Sequence, residues 1–149
     1  MKNNRSKMSF YGFLKNSGLV LFFAAAFVLV NSANAKAGAP FNDNFENAEI
    51  LSGTRVSVRR TNLAATKQQF EQVHAGNVGG RSVWFKWTAP MTGYFSFSTN
   101  LTETNIDTLL HVYTGSQLND LSNVGFNNNI NSPANLKSYR ILPVRSGTT

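Results

Sequence analysis

The chain has no cysteine, which excludes both a disulfide framework and a thiolate metal site. Acidic residues are scarce, seven Asp and Glu against fourteen Lys and Arg. Only two histidines are present, and no Gly-x-Ser-x-Gly elbow, His-Glu-x-x-His pair or glycine-rich phosphate loop occurs. Past the first forty residues no stretch keeps a helical period of apolar residues, so a helical bundle has nothing to build on. With 149 residues there is room for one ordinary domain. Its stability must come from an apolar core, within reach of a body of about 110 residues.

The net charge of +7 is unevenly distributed. Lys2, Arg5, Lys7 and Lys15 precede every acid, leaving ten basic residues against seven acidic ones from Lys36 onward. Arg55, Arg59 and Arg60 form the one tight basic group. A nucleic-acid binder carries a denser basic face than this, and a solvated strand face accounts for the excess. No nucleic-acid partner is expected.

The N-terminus reads as an export signal. A basic opening leads to residues 19–30, twelve consecutive apolar residues, and then to small residues at Ala33 and Ala35. That order of regions, with A-x-A spacing, defines a signal peptide of residues 1–35 cut between Ala35 and Lys36. As a helix, twelve residues rise about 18 Å, short of the roughly 30 Å hydrocarbon core. The mature chain is therefore expected outside the cytoplasm, in the periplasm, at the cell surface or beyond, with no stable membrane anchor. Residues 36–40 read as a linker.

Ser82-Val-Trp-Phe-Lys-Trp-Thr-Ala-Pro90 holds both tryptophans and reads as the central strand. Alternation sets Val83, Phe85 and Trp87 on one face and Trp84 on the other. Residues 54–60, with Val56 and Val58 alternating with polar residues, predict a half-buried strand, and residues 68–74 a shorter one. A flexible loop at residues 75–80 follows. Residues 94–99 predict a strand with Phe95 and Phe97 inward and Tyr94 outward. Further strands are predicted at residues 106–114, at 121–126, and around Tyr139, Ile141 and Val144, where Pro143 marks an edge. A helical turn capped by Asp43 or Asn44 is expected in residues 41–51, with Phe41, Phe45 and Ile50 plugging one end of the core. Six or seven short strands separated by turns define an all-β, antiparallel sandwich or barrel. Val83, Phe85, Trp87, Phe95, Phe97, Leu110 and Val112 are its expected filling.

Four segments occur in order: Phe41-Asn-Asp-Asn-Phe45, Gly79-Gly-Arg-Ser-Val-Trp-Phe-Lys-Trp-Thr-Ala-Pro90, Ile106-Asp-Thr-Leu-Leu-His-Val-Tyr-Thr-Gly115 and Val124-Gly-Phe-Asn-Asn-Asn129. Together they resemble the bacterial pre-peptidase C-terminal domain, over nearly all of residues 41–149. The resemblance implies a jelly-roll-like β-sandwich, a non-catalytic accessory module of secreted hydrolases or surface proteins. Attachment to extracellular protein or polysaccharide, or assistance with secretion, are the roles it implies. Relatives often carry Asn-Asp-Asp where this chain has Asn127-Asn-Asn, a loss of carboxylates that argues against Ca2+ there. Relatives also continue past Gly147-Thr-Thr149 with another strand. The expectation is a module lacking its last strand, with residues 137–144 short of a neighbour and further domains downstream in the intact protein.

Trp84, Tyr94 and Tyr113, outward of the expected core, are the candidate ligand-binding residues, although the 41–51 segment could instead cover Trp84. Asp43, Asp107 and Asn127 are weak metal candidates. Capping explains Asp43 more simply, and an entry-turn role explains Asp107. His74 and His111 read as unrelated, so no catalytic residue and no cofactor are expected.

Overall fold

In the computed structural model the described residues are 38–149; the signal peptide and its cleavage point at Ala35 and Lys36 lie outside them. Six strands occur in chain order: β1 (Glu49–Leu51), β2 (Phe85–Trp87), β3 (Gly93–Ser98), β4 (Leu110–Thr114), β5 (Ser122–Asn127) and β6 (Tyr139–Val144). Single 3-10 turns at Phe45–Asn47 and Leu118–Asp120 are the only helical elements among the described residues. The chain is thus β-rich, as its alternating pattern requires.

The strands pair as three two-stranded ladders, β1–β2, β3–β6 and β4–β5. The last two are antiparallel. β1 and β2 run parallel, with Leu51 beside Trp87, which corrects the expectation of a wholly antiparallel architecture. A long connection of residues 52–84 makes parallel pairing feasible here. β4–β5 slips register between Val112 and Tyr113. β5 also lies against β6: a methyl group on Gly125 would stand 2.8 Å from the Leu142 side chain. Among the described strands β6 pairs only with β3, so no second ladder joins its other edge; β5 reaches it through side chains, at Leu142 and through Asn127 Oδ1, which accepts from Tyr139 N–H.

Two expected strands do not form. Residues 54–60 are irregular apart from an isolated bridge at Arg60, and their cations turn to acids: Arg60 pairs with Glu49 and Arg59 with Glu103. Residues 68–74 are likewise irregular. Phe70 takes a φ of 69° and is 72% exposed, and Val73 faces outward too. Apolar spacing alone overrated both stretches, because neither finds a partner strand to complete its hydrogen bonds. The expected flexible loop at residues 75–80 starts as a tight turn, with Ala75 and Gly76 both at positive φ between mutually bonded His74 and Asn77.

The central stretch is regular only at Phe85–Trp87. Upstream its backbone bonds to loops instead: Ser82 N–H to Thr66 O, and Trp84 N–H to Asn42 O at 2.8 Å. Along β3, Phe95 and Phe97 turn inward and Tyr94 and Ser96 outward, as alternation requires. Trp87 packs on both phenylalanines, with ring centroids 4.9 and 5.7 Å away. On β6 the inward residue is Leu142, with Ile141 half exposed. At the N-terminal end Leu51 is buried, whereas Phe41 and Ile50 point to solvent; only Phe45 of the expected plug turns in.

Buried apolar residues are mostly leucines, at 51, 101, 110, 118, 121 and 142. The aromatic rings between the ladders are half-buried and line a cavity of about 1410 Å3. A buried hydroxyl cluster closes one end. Thr99 and Thr108 touch at 2.6 Å, and Ser138 donates to Thr108 O at 2.6 Å.

Candidate functional site

Residues 66–82, which carry the chain from Thr66 to the approach of β2, place Glu71 and His74 against the wall made by β4. His111 and Tyr113 stand on one face of β4, two residues apart. The two elements meet through a continuous run of hydrogen bonds. Ser82 Oγ donates to Glu71 Oε2 at 2.8 Å. Glu71 Oε1 lies 2.7 Å from His74 Nε2, His74 Nδ1 lies 2.6 Å from the Tyr113 hydroxyl, and that hydroxyl lies 3.0 Å from His111 Nδ1. The rings of His111 and Tyr113 stack at 4.1 Å.

The charges in this run are well defined. The side chain of Glu71 is 1% exposed. Burial alone would raise its pKa; hydrogen bonds from His74, Ser82 and the Gln68 N–H, with the charge of His74, outweigh this and hold the carboxyl below its usual range. Burial, reinforced by the Glu71 carboxylate, pushes Tyr113 up to about 12. Burial lowers the pKa of His111; the Asn123 amide beside it opposes the shift, and His74 adds to it. Glu71 is therefore an anion, Tyr113 keeps its proton and His111 favours the neutral form.

Trp84 covers this cluster. Its ring meets Phe45 edge-on at 5.3 Å, His74 at 6.0 Å and Tyr113 at 6.4 Å. The N-terminal segment also clamps its backbone, Asn42 Nδ2 donating to Trp84 O at 3.0 Å. Of the three candidate ligand-binding residues, Trp84 and Tyr113 thus meet beside the cavity. Tyr94 makes no ring contact with either of them among the described residues and lies on the exposed face of β3, 79% exposed.

The metal candidates are scattered. Asp43 caps no helix: its carboxylate accepts from Thr66 N–H at 2.7 Å and Thr66 Oγ1 at 3.0 Å, tying the first loop to the second. Asp107 is exposed and takes no hydrogen bond among the described residues; the adjacent Thr108 fixes the entry to β4 instead. Asn127 accepts from Tyr139 N–H at 3.0 Å and donates to Asn129 O. Among the described residues no group of three or more His, Asp or Glu is placed to hold a metal ion.

The histidines are not unrelated, which corrects the sequence reading. They stand 5.6 Å apart, joined through Tyr113. Glu71 and Ser82 belong to the same run and were not singled out. The one signal available was Glu71-x-x-His74, two polar groups three residues apart ahead of a turn. Its partner on β4 is 39 residues away, beyond the reach of local pattern.

The chain matches no protein-family model, no curated protein and no solved structure.

Proposed function

We propose that the chain is an exported, non-catalytic accessory module with a β-sandwich architecture of the pre-peptidase C-terminal kind, attaching to extracellular polysaccharide. The observation that carries this reading is the outer face of the β3–β6 ladder. Tyr94, Ser96 and Ser98 lie there opposite Pro143, Ile141 and Tyr139. Tyr94, Ile141 and Tyr139 are 79%, 51% and 42% exposed. Two tyrosine rings about 14 Å apart along the strands, with the exposed Ser96 hydroxyl between them, form a platform. Planar rings stack on sugar faces while hydroxyls meet their oxygens.

The chemistry beside Tyr113 supports a binding role over a catalytic one. Ser82 donates to a carboxylate, not to a histidine, and Tyr113 holds its proton tightly, so no activated nucleophile is formed.

The test is retention of the purified chain on insoluble polysaccharides, with a collagen-like protein as the second arm. Tyr94→Ala is expected to abolish retention on polysaccharide while the melting temperature holds. Retention on the protein arm alone redirects the reading to protein attachment. Retention on neither overturns attachment and leaves a structural, export-assisting role. N-terminal sequencing of the secreted product, beginning at Lys36, tests the export step.

A further inference from the structure

Residues 66–82 form a loop whose two ends meet, since the N–H and Oγ of Ser82 both donate to Thr66 O. Its backbone-to-backbone bonds close on the loop itself, between His74 and Asn77 in both directions and from Glu71 N–H to Gln68 O. At its base Asp43 takes Thr66, while Gln68 bonds Phe45 N–H and Glu46. Toward the β4–β5 side it reaches with two side chains: His74 to the Tyr113 hydroxyl at 2.6 Å, and Gln72 Nε2 to Leu121 O at 3.1 Å. Little apolar surface holds it down. Phe70, Val73 and Val78 are all exposed, and Phe70 and Ala75 carry a positive φ that side chains adopt at a cost. Such a segment opens locally more readily than paired strands do.

The run of hydrogen bonds divides at the His74–Tyr113 contact. On the loop side Glu71 is bonded by His74, Ser82 and Gln68, all members of the loop, so its carboxylate keeps these partners if the loop lifts. On the strand side His111 faces Tyr113 of its own strand and Asn123 and Phe126 of β5. Across the divide it faces His74, with Glu71 behind it, and Trp84 covers His74 and Tyr113. Among the described residues Glu71 is the one carboxylate hydrogen-bonded within this cluster.

One carboxylate balances one imidazolium. The two imidazoles stand 5.6 Å apart, so a second proton sets an uncompensated cation beside the first. It also spoils the phenol bridge. A phenol joins two imidazoles by donating to one and accepting from the other; with both rings fully protonated its own proton faces only N–H groups. Parting the loop from β4 relieves both conflicts, leaving His74 with Glu71 and His111 with Asn123 and water.

We propose that residues 66–82 are an acid-released flap: protonation of His111 breaks the His74–Tyr113 contact and lifts the loop from β4 while the ladders stay paired. Opening bares the Trp84 and Tyr113 wall of the cavity. The sign agrees with the titration of His111. In the closed state its pKa lies below 6.5, and opening returns it toward that value, so opening takes up a proton. The open population therefore rises as pH falls below about 6.5, by at most about tenfold per pH unit. The flap does not involve Tyr94, and a failure of polysaccharide attachment leaves it untouched.

Trp84 Nε1 is sealed from solvent while the loop is closed, whereas Trp87 Nε1 is held by Gly53 O, outside the loop. The test follows solvent exchange of the two indole N–H groups by NMR on the full chain, at about pH 7.5, 6.5 and 5.5. Protection of the β3–β6 amides, corrected for intrinsic exchange, reports global unfolding. Exchange at Trp84 relative to Trp87 is expected to rise severalfold, up to about tenfold, between the two lower values, with the amides still protected. His111→Gln, which takes no charge, should hold the ratio constant, and Gln72→Ala, which cuts the other tie, should raise it at every pH. Should His111→Gln fail to fold, the imidazole titration of His111 in the native chain decides: a midpoint matching the rise at Trp84 supports the flap, and one that does not match overturns it. A ratio constant with pH in the native chain, the same rise in His111→Gln, or loss of amide protection together with Trp84 also overturns it.

Discussion

His74 and Tyr113 meet at 2.6 Å across 39 residues of chain, the imidazole Nδ1 facing the phenol oxygen. This contact joins the irregular segment before β2 to the β4–β5 ladder. It stands in a mostly enclosed place, where losing one partner leaves others unpaired.

Removing the phenol oxygen is therefore expected to cost more than one average hydrogen bond. Tyr113→Phe keeps the stacked ring and strands His74 Nδ1 and His111 Nδ1 together. Loss of about 1–3 kcal/mol is expected in urea denaturation. Glu71→Gln with Tyr113→Phe should be less damaging than the sum of the two, because both break the same run. A loss below about 0.5 kcal/mol for Tyr113→Phe would show the run to be slack.

The same groups set the pH dependence. The folded pKa of Glu71 lies below its ordinary 4.5, so its contribution is complete above that value and lost as pH falls through the lowered one. His111 is also lowered, from 6.5. The unfolded chain therefore takes up a proton there first, and stability declines as pH drops below about 6.5. Tyr113 is raised to about 12, so its contribution declines between about pH 10 and that value. Melting temperature against pH should fall on the acid side in two stages. His111→Phe should remove the upper stage and Glu71→Gln the lower. A flat profile from pH 7 to 4 contradicts this assignment.

Much of the ladder scaffold is legible in the sequence, because alternation decides it. β3 and β5 fall within a residue of their expected places, β4 forms only over the second half of the expected 106–114, and Phe95 and Phe97 face in as period two requires. The failures at residues 54–60 and 68–74 share a cause. Strand formation depends on a neighbour's backbone, and no local pattern states whether one is near. The candidate site was hidden in the same way. His111 looked like an isolated polar residue in a strand until folding brought Glu71 and His74 to it.

Asp43 offers a clean separation of metal binding from loop tethering. Its two contacts are with Thr66 alone. Asp43→Ala is expected to lower stability by about 1–2 kcal/mol, equally in calcium and in chelator. A calcium-dependent melting shift in the native chain that disappears in Asp43→Ala would restore the metal reading.

Gly125 tests whether β5 and β6 truly abut. A Cβ there would stand 2.8 Å from Leu142 Cδ2 and 3.3 Å from Arg140 Nε. Leu142 is 4% exposed and has little room to retreat. Gly125→Ala should therefore destabilise by about 1–3 kcal/mol, the usual cost of overpacking, even though alanine ordinarily suits a strand better than glycine. Gly125→Ala combined with Leu142→Ala should recover part of the loss, since the second change makes the space the first one needs. If Gly125→Ala instead stabilises the chain, β5 and β6 are farther apart than the close approach of Gly125 to Leu142 implies.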